Sequence, residues 1–83
     1  MARLTIDQTI KKLPGFDQTD FMNTLKTAID EEGGNLEECS EVVPNTYRFV
    51  ISYHSAYQLI LGCFSPTEYD KVEYINSNII STT

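Results

Sequence analysis

The sequence has no tryptophan, a single histidine and only two cysteines, and its acids outnumber its bases twelve to six. Each scarcity removes a class of function. Two thiols cannot build the framework of a disulfide-rich scaffold. One histidine, His54, with no cysteine near it is a poor start for a transition-metal site. A net charge of −6 argues against a surface made for nucleic-acid phosphates or anionic lipid, which takes clustered Lys and Arg. No stretch approaches the roughly 18 apolar residues of a membrane span, and the opening MARLTIDQTI lacks the apolar core of a signal peptide. At 83 residues the chain has room for one hydrophobic core. The expectation is one domain over residues 1–83, soluble and cytoplasmic, with no cofactor or metal.

What is present divides by period. Up to about Glu32 the apolar residues fit helical spacing, and from about Leu36 onward the chain reads as strands. Thr5 followed by Gln8 has the form of a capping box. Ile6, Ile10 and Leu13 then fall on one helical face, and Pro14-Gly15 supplies a stop, which predicts a short helix over about 5–13. A second helix is predicted over about 18–32. Asp17 serves as N-cap, Phe16 and Phe21 form a hydrophobic staple, and Gly33-Gly34 ends the helix. Its buried stripe is Phe21, Met22, Leu25, Ala28 and Ile29.

The second half is rich in β-branched and aromatic residues and is interrupted at short intervals. Strands are predicted at about 36–43, 46–54, 57–64 and 69–76, with a tail from Ser77 that extends the last strand or packs loosely. The predicted fold is α+β: two N-terminal helices followed by a four-stranded antiparallel meander. Two-residue hairpin loops would pair Val43 with Thr46 and set Glu41 opposite Arg48. One sheet face would then carry Leu36, Val42, Tyr47, Phe49, Ile51, Tyr53, Ile60 and Phe64. The other would carry Cys39, Val43, Val50, Leu59, Leu61 and Cys63, with the two thiols too far apart to bond. Both faces read as apolar, and two helices cover only one. A second copy bound to the uncovered face is one expected solution, and the chain's own tail is the other.

The most distinctive local feature is acidic. Asp30, Glu31, Glu32, Glu37, Glu38 and Glu41 fall within twelve residues that contain no base, and three of them stand at a helix C-terminus, where the macrodipole disfavours negative charge. Such a run suits a patch that meets a basic surface on a partner protein; the competing reading is a solvated turn that keeps a small chain soluble. Asp30 and Glu41 have the end-to-end spacing of an EF-hand loop, but Asn35 stands where that loop needs glycine and Glu37 where it needs an apolar residue. Tyr47, Phe49 and Tyr53 share a strand face as in base-stacking sheets, yet the basic flanks are missing and core packing explains them. His54, Tyr57 and Glu37 are the residues to examine first for catalysis, with no triad or phosphate loop around them.

The expected function is therefore that of a non-enzymatic, acidic protein-binding module. Within that class the expectation is an inhibitor, immunity or phage-type anti-defence protein that occupies a basic, nucleic-acid-binding surface of its partner. The alternative is a structural subunit that forms a homodimer through the second sheet face.

Overall fold

A computed structural model describes residues 2–55 and 69–82. In chain order they form strand β1 (Ala2–Lys12), helix α1 (Gln18–Glu31), and strands β2 (Gly34–Val43), β3 (Thr46–Tyr53) and β4 (Val72–Thr82). The strands make an open antiparallel sheet in the order β2-β3-β1-β4. Because β1 and β2 flank β3, the connection through α1 is a crossover, the split β-α-β arrangement.

The helix predicted over 5–13 is not formed; those residues belong to β1, so the described residues contain one helix and not two. The physical reason lies in the spacing of the apolar side chains. Ile6 and Ile10 are four apart, which suits a helix face and equally suits every second residue of a strand. Ala2, Leu4, Ile6, Gln8 and Ile10 are all buried while their neighbours are not, and that is a period of two. Gln8 hides the alternation because it is a polar residue in the inward row. It is fully buried and satisfied: its Nε2 donates to the carbonyls of Thr9 (3.1 Å) and Asn76 (3.0 Å), and Ser77 Oγ donates to its Oε1.

The second predicted helix agrees with α1. Asp17 is extended and its carboxylate accepts from the Asp20 N–H at 3.0 Å. The rings of Phe16 and Phe21 lie 5.6 Å apart, as the staple requires. Gly33, at φ 83°, ends the helix in the left-handed region where a side chain would be strained. At Gly34 the need for glycine is spatial: a Cβ there would stand 2.8 Å from Tyr53 Cε1 and 2.9 Å from Ile29 Cγ2. The turn at Pro44-Asn45 is also as expected, with Asn45 at φ 67° and Val43 opposite Thr46.

The predicted strand at 57–64 lies outside the described residues, as do Leu59, Ile60, Leu61, Cys63 and Phe64. The tail does extend the last strand, since β4 runs to Thr82. Within β2 the simple register fails at two places, between Leu36 and Glu38 and between Glu41 and Val43. Each irregularity adds one residue and moves the residues beyond it to the opposite face. Cys39 therefore stands opposite Phe49 and packs against the core, not on the far face. Arg48 faces Ser40 and not Glu41.

The core lies between α1 and one sheet face. Phe21, Leu25 and Ile29 of α1 meet Ile6 and Ile10 of β1 and Tyr47, Phe49, Ile51 and Tyr53 of β3. Phe21 is its centre, with ring centroids 5.2 Å from Tyr47, 6.2 Å from Phe49 and 5.5 Å from Tyr69 in tilted or edge-on arrangements.

Two substitutions test this account. Gln8→Leu keeps the volume but leaves the Asn76 carbonyl without its donor, and is expected to cost about 1–3 kcal/mol in urea unfolding. Gly34→Ala forces its methyl into Tyr53 and Ile29 and is expected to cost about 1–3 kcal/mol, with the helix content retained by circular dichroism. Unchanged midpoints would contradict the packing at these sites.

Candidate functional site: the acidic junction and the open sheet face

The six acids that are contiguous in sequence separate in the fold. Asp30 and Glu31 are in the last turn of α1 and Glu32 is its C-cap, all three exposed, with no basic residue in that turn. Glu37 and Glu38 follow on β2, and Glu38 stands opposite Val50. Glu41 lies further along β2, opposite Tyr47, at the hairpin end of the strand.

Two of the six are already neutralised. Glu37 accepts from Arg3 Nη2 at 3.1 Å, and the Ser52 hydroxyl and the Arg3 guanidinium hold its carboxyl below the ordinary range. Glu41 binds Lys12 Nζ at 3.1 Å and accepts from the Asn45 N–H at 2.9 Å. The Asn45 amide and then Lys12 lower its pKa, while the same bond raises that of Lys12. Lys12 is also placed over two rings, 5.3 Å from the centroid of Phe16 and 5.8 Å from that of Tyr47, a cation–π arrangement. Glu41 and Lys12 thus fasten the hairpin to the end of β1. Asp30, Glu31, Glu32 and Glu38 have no such partner among the described residues.

The far side of the sheet is the second surface of interest. It was expected to be apolar, and its described part is not. Arg3, Thr5, Asp7 and Thr9 of β1 alternate with the buried row, and their partners on β3 are Ser52, Val50, Arg48 and Thr46. Arg48 makes a two-pronged bond to Asp7, Nε to Oδ1 at 2.8 Å and Nη2 to Oδ2 at 2.9 Å. The Thr9 and Thr46 hydroxyls are 3.2 Å apart. The guanidinium bond holds the Asp7 carboxyl below its usual range and raises Arg48. This pair replaces the expected one between Glu41 and Arg48. Reading β1 as a helix concealed it; the alternation Arg3, Thr5, Asp7, Thr9, Lys11 was the signal that could have shown it.

His54 follows β3 and is exposed, while Tyr57 lies outside the described residues. Cys39 is half-buried, and burial pushes its thiol up to about 12, so the nucleophilic thiolate is suppressed. Among the described residues no three His, Cys, Asp or Glu side chains converge to hold a metal, and Asp30 and Glu41 are separated by a strand where a calcium loop would be needed. An open hollow of about 310 Å³ on α1, lined by Asn23, Thr24, Thr27, Ala28 and Glu31, offers one titratable group. Among the described residues no helix is long and apolar enough to cross a membrane. No protein family, curated protein or solved structure matches this chain.

Asp7, Glu37 and Glu41 all have folded-state pKa values below their ordinary 3.8 to 4.5. Their ion pairs therefore stabilise the fold above that range, and the contribution disappears as pH falls through the lowered values. Urea midpoints measured between pH 2 and 7 should be flat above pH 5 and fall below it. In Asp7→Asn the low-pH fall should be shallower and the pH 7 midpoint lower; an unaltered profile would mean the Arg48 bond contributes nothing.

Proposed function

We propose that this chain is a small cytoplasmic protein-binding module without catalytic activity, whose acidic junction occupies a basic surface on a partner protein. The class of partner is one whose basic groove otherwise holds nucleic-acid phosphates, so the chain acts as an inhibitor, in the manner of an immunity or anti-defence protein.

One observation carries this reading. The fold ties down Glu37 and Glu41 but leaves Asp30, Glu31, Glu32 and Glu38 exposed and without basic partners among the described residues, around one end of α1 and the strand that follows. The negative end of the helix macrodipole adds to the same field. Local stability disfavours this placement, since cations are the favoured residues at a helix C-terminus. A concentrated field of one sign is what accelerates encounter with a surface of the opposite sign. A homodimer through the second sheet face has no comparable support, because the described part of that face is hydrogen-bonded and ion-paired.

The test begins with capture of partners from the source cells at low and high salt, and continues with association kinetics on the purified partner. The variant E31K/E32K/E38K should associate at least about tenfold more slowly at low ionic strength, with a flattened salt dependence and little change in dissociation. Equal association rates for variant and native protein would refute the electrostatic reading.

A further inference from the structure

We draw no further inference here: the strongest candidate, the open hollow along α1 that shares Glu31 with the acidic junction, is a stripe of small side chains with one exposed carboxylate, and nothing in the structure shows what fills it.

Discussion

The hydrogen-bonded pairing of β1 on both of its edges is the constraint from which the rest of the structure follows. Residues 2–12 sit between β3 and β4, so each position in this strand has a fixed duty. Even-numbered side chains from Ala2 to Ile10 enter the buried layer, and the odd-numbered ones build the polar face with Arg48, Thr46 and Ser52. Both ladders join parts of the chain that are far apart in sequence, with Thr5 opposite Val50 on one side and Ser81 on the other. Such pairing brings a large loop-closure cost before it returns any contact energy, so topology places this chain among slower-folding small domains. Gln8 makes the arrangement specific. A slip in register would part its buried amide from the Asn76 carbonyl and the Ser77 hydroxyl, a cost added to that of turning the apolar row out of the core.

How much of this was legible depends on the range of each signal. Helix α1 was readable because everything that defines it is local: Asp17 as cap, Phe16 and Phe21 as staple, Gly33 as stop. The β2–β3 hairpin was readable for the same reason, through Pro44-Asn45. The strand nature of residues 2–12 was not, because Ile6 and Ile10 satisfy two periods and Gln8 interrupts the one that applies. Its buried amide is paid for by Asn76 and Ser77, nearly seventy residues away, and nothing near Gln8 in sequence announces them.

The register errors in β2 have a similar origin. An added residue at Glu37 and another near Val42 shift the strand against β3, and no local residue pattern distinguishes such a strand from a regular one. The consequences were large for the far face. Cys39 moved into the core layer, Arg48 went to Asp7, and the face expected to be apolar became a lattice of ion pairs and hydroxyls. The excess of apolar area inferred from sequence does remain on the described chain, but at the strand edges: Ile75, Ile79 and Ile80 on β4, Val42 and Val43 at the end of β2.

The acidic run shows the complementary failure, in which a contiguous sequence feature is more uniform than the surface it makes. Six acids in twelve residues suggest one patch. The fold spends Glu37 on Arg3 and Ser52, and Glu41 on Lys12 and Asn45, and both bonds fasten strands together. What is left unbalanced among the described residues is smaller and more focused: Asp30, Glu31, Glu32 and Glu38, next to the carbonyl end of α1. None of these four acids makes an ion pair among the described residues, so no such contact holds them where they are. Solubility alone would be served equally well by charge scattered over the surface. Under the proposed function, their concentration where a helix terminus already carries negative potential serves the encounter with a positive surface, and the association rate of the charge-reversed variant is what separates a binding surface from a merely solvated turn.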